Sequence, residues 1–256
     1  MLWRKVRYDI SRHDANADVR YFAVNLPEEL DAPGEYWVDR ENSVLYYYPT
    51  EEGTADELVL TTSDDPLVRL AASAHDIVFQ NLVFSDAGMA LDASSEVRRL
   101  RMESCDFHAL RLDAVKIDGR DSVVSGCTFR QIGHGCVVLS GGDRKALQTA
   151  CNVVENCDMR EYARFYRCYK AAVRIEGCGQ AVRHCTIADA PHEAIAFNGN
   201  EHFFGWNTVS NVLSETSDAG AFYIGRNTSM LGHRIVGNRF LGLTRPDVSA
   251  IYFDDC

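Results

Sequence analysis

The sequence predicts an all-β chain wound as a right-handed parallel β-helix of about seven coils, preceded by a small β-hairpin module. Three observations predict it: a six-residue phrase that returns seven times, a second phrase interleaved with it, and intervals too short for a strand plus a covering helix. The first phrase reads apolar, two residues, Asn or Cys, one residue, apolar. Its Asn/Cys positions are Asn81, Cys105, Cys127, Cys157, Cys185, Asn207 and Asn238. Val78, Met102, Val124, Val154, Val182, Phe204 and Ile235 stand three residues before them, and Val83, Phe107, Phe129, Met159, Ile187, Val209 and Phe240 two residues after. The intervals of 24, 22, 30, 28, 22 and 31 residues mark a solenoid with loops inserted in chosen coils.

The second phrase is a small residue followed by apolar residues at alternate positions: Met89/Leu91, Val115/Ile117, Val137/Leu139, Val173/Ile175, Ile195/Phe197, Phe222/Ile224 and Ile251/Phe253. Gly88, Ala114, Cys136, Ala172, Ala194, Ala221 and Ala250 precede these pairs. Such period-two alternation of β-branched and aromatic residues is a strand signal. Each repeat is therefore one coil with two clear strands and a short third, equivalent strands lying parallel about 4.8 Å apart. The coil is right-handed because parallel crossovers almost always are.

Residues 1–65 read differently, and the boundary to the helix, 66–256, falls at Pro66. Gly34-Glu35-Tyr36-Trp37-Val38-Asp39 and Val44-Leu45-Tyr46-Tyr47-Tyr48-Pro49 flank the polar turn Arg40-Glu41-Asn42-Ser43 and predict a β-hairpin that caps the helix. Residues 57–61 predict another strand. The end at Cys256, directly after a strand, predicts an open edge of the kind solenoids cap, so the sequence reads as a truncated piece of a longer protein. The opening MLWRKVRYDISRHD shows no apolar signal-peptide core. Localisation stays open, with a secreted or cell-envelope site expected of the full-length protein.

Composition narrows the function. Net charge is −11, with 26 basic against 37 acidic residues, so no nucleic-acid partner is expected. No apolar run approaches the length of a membrane span. Four of the nine cysteines share one slot in successive coils, which predicts a column of buried thiols acting as small hydrophobes rather than metal or redox chemistry. Asparagines in that slot are expected to stack as an amide ladder. No zinc-like spacing appears, so neither metal nor cofactor is expected. The chain is expected to be monomeric.

Function in a solenoid collects on loops. Insertions at 160–171, 210–220 and 241–249 leave the stack on one side and predict a cleft in the C-terminal half. Glu215, Asp218, Tyr223 and Arg226 lie within one twelve-residue stretch, and Tyr252, Asp254 and Asp255 follow one coil later. Alternation turns Tyr223, Tyr252 and Asp254 outward, with Arg174 beside Tyr223 and the column Asp118, Glu176, Asn198 leading to Asp254. Tyrosine faces, arginine and carboxylates together suit a sugar. His134, Lys170 and His192 share a second slot, followed by Glu193. That column would suit proton abstraction from a uronic acid, with Arg164, Arg167 or Arg174 neutralising its carboxylate.

PGEYWVDRENSVLYYYP, NEHFFGWNTVSNVLSETSDAGAFYIGRN and AIYFDD resemble bacterial-type right-handed β-helix proteins, above all glycoside hydrolase family 141, which includes fucosidase- and xylanase-type enzymes. The resemblance implies two catalytic aspartates on the helix wall. Matched residue by residue, they are Asp218 in SDAGA and Asp254 or Asp255 in IYFDD. Glu215, Tyr223, Arg226, His192, Glu193, Tyr252 and Arg174 are the candidate substrate-binding residues. The expected activity is hydrolysis of a polysaccharide or oligosaccharide. A polysaccharide lyase and a non-catalytic carbohydrate-binding module are the alternatives.

One geometric condition attaches to this pair. Asp254 should stack on Gly225, seven residues beyond Asp218, or roughly 20 Å at about 3.3 Å per extended residue. Glycosidase carboxyls stand about 5–5.5 Å or about 6.5–9.5 Å apart. The chain must therefore bend sharply near Ala219-Gly220. The rival partner is Asp247, three residues before the alanine aligned with the one that follows Asp218.

Overall fold

A computed structural model describes residues 5–6, 21–22, 25–50 and 59–255. The chain from Pro66 onward winds into three parallel walls, one strand per wall in each turn. The first wall contains Pro66–Arg69, the start of Met89–Glu103, Val115–Arg120, Val137–Ser140, Val173–Ile175, Ile195–Phe197, Ala219–Gly225 and Val248–Asp254. His75–Gln80, the end of Met89–Glu103, Val123–Ser125, Val153–Glu155, Ala181–Arg183, Phe203–Gly205 and Arg234–Val236 form the second. The third wall is a 7-stranded sheet running from Val83–Ala87 to Arg239–Leu241. This is a right-handed parallel β-helix of seven full turns plus one strand, with the third strand as regular as the others.

The alternating apolar residues point inward because each wall faces the other two. Phe84, Phe107 and Phe129 stack with centroids 5.2 and 4.6 Å apart, and Phe197, Phe204, Phe222 and Phe240 fill the later turns. Fully burying each such ring stabilises the fold by about 1.5–3 kcal/mol.

The cysteine column stands as the spacing predicts. Thr128 pairs with Asp106 and with Asp158, and Asp158 with Thr186, so Cys105, Cys127, Cys157 and Cys185 are vertical neighbours. Each thiol is aimed at carbonyls of its own turn and the turn below; Cys157 Sγ reaches Glu155 O at 3.2 Å and Val124 O at 3.6 Å. The Cys157 thiol bonded to it, then burial, push the Cys127 thiol well above its ordinary range. The thiols thus stay protonated packing groups. Asn207 and Asn238 continue the column, Asn207 Nδ2 donating to Asn238 Oδ1 at 2.9 Å.

Two copies of the repeat slip from the expected register. Asn81 is not in the Cys slot: it adopts φ 55°, as do the residues just before the other slot members, and Leu82 fills the slot. Consequently Phe79 and Phe84 face inward, while Val78 and Val83 are exposed. On the first wall, Val115 and Ile117 pair with Leu91 and Ala93, not with Met89 and Leu91. Ala90, not Gly88, is the corner residue there.

The expected hairpin is present, Tyr36–Asp39 pairing antiparallel with Val44–Tyr47. Of the expected strand at 57–61, residues 57 and 58 lie outside the described residues, and 59–61 pair with no strand. Among the described residues no helix is long and apolar enough to cross a membrane.

Candidate functional site

Tyr223 and Tyr252 are vertical neighbours on the outer face of the first wall, their rings 5.8 Å apart and edge to face. The Tyr223 hydroxyl donates to Asp254 Oδ2 at 2.6 Å. The Tyr252 hydroxyl donates to Asp218 Oδ1 at 3.0 Å and also faces the Asp254 carboxylate. The two aspartates, distant along an extended strand, therefore meet across one phenol. Gly220, within the unbroken strand Ala219–Gly225, lets Tyr252 lie close above it. A Cβ at Gly220 would stand 2.5 Å from the Tyr252 Cβ.

Both tyrosines are held as donors. Its bond to Asp218, chiefly, raises Tyr252 to about 12. Burial first, and then Asp254, push Tyr223 well above the usual phenol range. Arg226 adds a guanidinium 3.9 Å from Asp254 Oδ2 and donates its backbone N–H to Asp254 O at 2.7 Å. Asp254 is largely shielded, with 18% of its side chain exposed, whereas Asp218 is open to solvent. Asp255 lies past the strand end, exposed and in a left-handed conformation, and makes no hydrogen bond to the tyrosine pair.

The remaining candidates fall around this centre. Glu215 forms a fork-to-fork ion pair with Arg167, Nε to Oε2 at 2.5 Å, tying the 160–171 loop to the 210–220 loop. His192 and Glu193 are buried, with His192 Nδ1 3.4 Å from Glu193 Oε1 and lacking a hydrogen bond. Register puts Glu193 between Ala171 below and Gly220 above. Arg174 is not beside Tyr223: Ala196 intervenes in the column, and Arg174 is turned to Glu176 at 2.6 Å. Asp247 does stack on Asp218, whose N–H donates to Asp247 O at 2.8 Å.

The 160–171 and 210–220 insertions flank a groove of about 620 Å³ lined by Arg164, Arg167, Asp189, Asn211 and Ser214, among others. Phe165, Tyr166 and Tyr169 stand exposed on the same loop. A second set of insertions, at 141–152 and 226–233, borders the first wall on its other side and has no simple motif to announce it. Arg144 joins these two, donating to Asn200 Oδ1 at 2.9 Å and Ser229 Oγ at 3.2 Å. Among the described residues, no three His, Cys, Asp or Glu side chains are grouped as metal ligands.

A solved structure described as a glycoside hydrolase is similar to this chain, with a TM-score of 0.61 and 14% identity. The match covers 91% of this chain and 59% of that one, so this chain spans less than two thirds of its neighbour's length. The likeness is one of fold. No curated protein matches the sequence. The right handed beta helix region family matches residues 68–240, a span that holds the whole cysteine column and most of the three walls, and the chain belongs to that family.

Proposed function

We propose that the protein is a glycoside hydrolase acting on a polysaccharide or oligosaccharide, with Asp218 and Asp254 as its carboxyl pair. The observation that carries this reading is their convergence on the Tyr252 hydroxyl. The Tyr252 hydroxyl lies 3.0 Å from Asp218 Oδ1 and also feels the Asp254 carboxylate, so both carboxyls border one phenol. This reading requires them to stand about 5–5.5 Å apart for retention or about 6.5–9.5 Å apart for inversion. The neighbour's description as a glycoside hydrolase agrees with the choice of substrate class.

In this scheme Asp218 is the general acid, giving a proton to the glycosidic oxygen as the C–O bond breaks. Asp254, fixed by Tyr223 and Arg226, either attacks the anomeric carbon or takes a proton from the attacking water. Tyr223 and Tyr252 hold the two carboxyls in place, and the groove beside Arg164 receives neighbouring sugars.

The test is turnover of wild type, Asp218→Asn and Asp254→Asn, read as new reducing ends on a panel of plant and bacterial polysaccharides. Each substitution should lower the rate about 10²–10⁴-fold with the circular dichroism spectrum unchanged. Full activity in Asp218→Asn removes the assignment. The lyase reading has one observation in its favour: burial, then Lys170, lower His134 to about 4, keeping its imidazole neutral as a base would require. A lyase would release an unsaturated product absorbing in the ultraviolet, and a binding module would release nothing.

A further inference from the structure

The corner between the second and third walls is the one the first wall does not touch, and it carries an aromatic group with no part in the site above. Trp206 sits in the turn between Phe203–Gly205 and Thr208–Ser210, in the left-handed position (φ 56°) that projects side chains away from the core. His184, one turn below, stacks flat against the indole, centroids 5.1 Å apart and planes within 10°. One turn above stands Gly237, where a Cβ would fall 2.6 Å from the indole Cδ1. The Gly237 backbone thus lies against the pyrrole part of the ring and adds no side chain over the benzo part, and Trp206 is 50% exposed. Phe203 packs beside it at 5.6 Å, and the Arg234 guanidinium lies over Phe203 at 5.5 Å. Among the described residues, neither the indole Nε1–H nor the Arg234 guanidinium has a carboxylate or hydrogen-bond partner.

We propose that Trp206 centres a second carbohydrate-binding site, taking one pyranose ring of a polysaccharide at the corner opposite the first wall. The proposal extends the carbohydrate reading above and rests on it. The negative face of an indole attracts the partly positive C–H face of a pyranose. The Nε1–H and the Arg234 guanidinium supply donors for the hydroxyls at the ring edge. Size decides against a protein partner. One tryptophan buries about 150–250 Å², whereas a stable protein interface needs about 800 Å² per partner. The patch is also bounded by charge, Arg183 Nε donating to Glu155 Oε2 at 2.8 Å on the adjoining wall.

The experiment is native gel electrophoresis of the Asp218→Asn protein through gels containing soluble xylan, galactomannan or polygalacturonate. The protein should be retarded by at least one of these polymers. Trp206→Ala in the same background should weaken the apparent affinity about tenfold, the loss expected of one aromatic stacking contact. Arg234→Ala, which leaves the indole in place, should weaken it less. Undiminished retardation of Trp206→Ala overturns the proposal, as does the absence of retardation by all three polymers. A shift from dimer to monomer on Trp206→Ala in sedimentation also overturns it. Trp206→Ala in the otherwise native chain should cleave short oligosaccharides at the wild-type rate. Failure of the hydrolase reading appears instead as surviving turnover in Asp218→Asn, which leaves the gel comparison intact.

Discussion

Replacing Asn207 tests whether the interior column holds the turns together by hydrogen bonding or merely by filling space. Asn207 is 1% exposed and serves both neighbouring turns. Its Oδ1 accepts from Cys185 N at 2.9 Å, and its Nδ2 donates to Val182 O at 3.0 Å and to Asn238 Oδ1 at 2.9 Å. Asn207→Ala strands the Cys185 N–H and the Val182 carbonyl, at about 1–3 kcal/mol for each buried group. The expected loss is therefore roughly 2–6 kcal/mol. Asn207→Cys should cost distinctly less, because the column already shows how a thiol fills the same role. Cys185 Sγ points at Val154 O from 3.8 Å, and Cys157 Sγ at Val124 O from 3.6 Å, geometry that a thiol at 207 would repeat toward Val182 O. Equilibrium urea unfolding at neutral pH measures both variants, with the slope on denaturant compared to confirm the same unfolding reaction. A loss below about 1 kcal/mol for Asn207→Ala, or equal losses for Ala and Cys, would refute the reasoning.

Two further outcomes follow from the core. Phe107→Ala, which removes the middle ring of the Phe84–Phe107–Phe129 stack, should cost about 3–5 kcal/mol in the same urea experiment; a value near that of a surface substitution would mean the stack is not rigidly packed. His202 is fully buried, accepts from Gln180 N at 3.2 Å, and is lowered to about 4, mainly by burial. Its ordinary value is about 6.5, so the unfolded chain takes up a proton first as pH falls. Stability should decline from pH 6.5 to about pH 4, by on the order of 3 kcal/mol from this group. His202→Gln, the residue type of the turn below, should flatten that slope; an unchanged slope assigns the effect elsewhere.

The architecture is legible because a β-helix repeats its inner positions, and Cys105, Cys127, Cys157 and Cys185 mark one of them without ambiguity. The slips occur where one chemical type fits two positions. Asn81 satisfies the motif, but asparagine also tolerates the left-handed conformation, and that is where it sits. Ala93 carries too little apolar signal to reveal that the pair in its turn is Leu91/Ala93. A second interior column, Ser122, Asn152, Gln180, His202 and His233, leaves no sequence pattern because its members differ in type. What they have in common is a hydrogen-bonding role. A side-chain acceptor on one turn meets the N–H of the turn below, as Asn152 Oδ1 does for Ser122 at 3.0 Å. At the candidate site, the motifs bring out Asp218 and Asp254 but cannot show how they meet. The contact passes between turns through Tyr252, and a distance counted along one strand misses it.

The varying intervals between copies now have a location. Additional residues enter at the two corners that bound the first wall, at 141–152 and 226–233 on one side and at 160–171, 210–220 and 241–249 on the other. The corner carrying the thiols and amides keeps the same short turn throughout. That corner works like the spine of a bound book, fixing the order of the leaves while their outer margins are cut to different widths. Remodelling a margin can reshape whatever the first wall grips, and the stitching that sets the height of each leaf need not be altered.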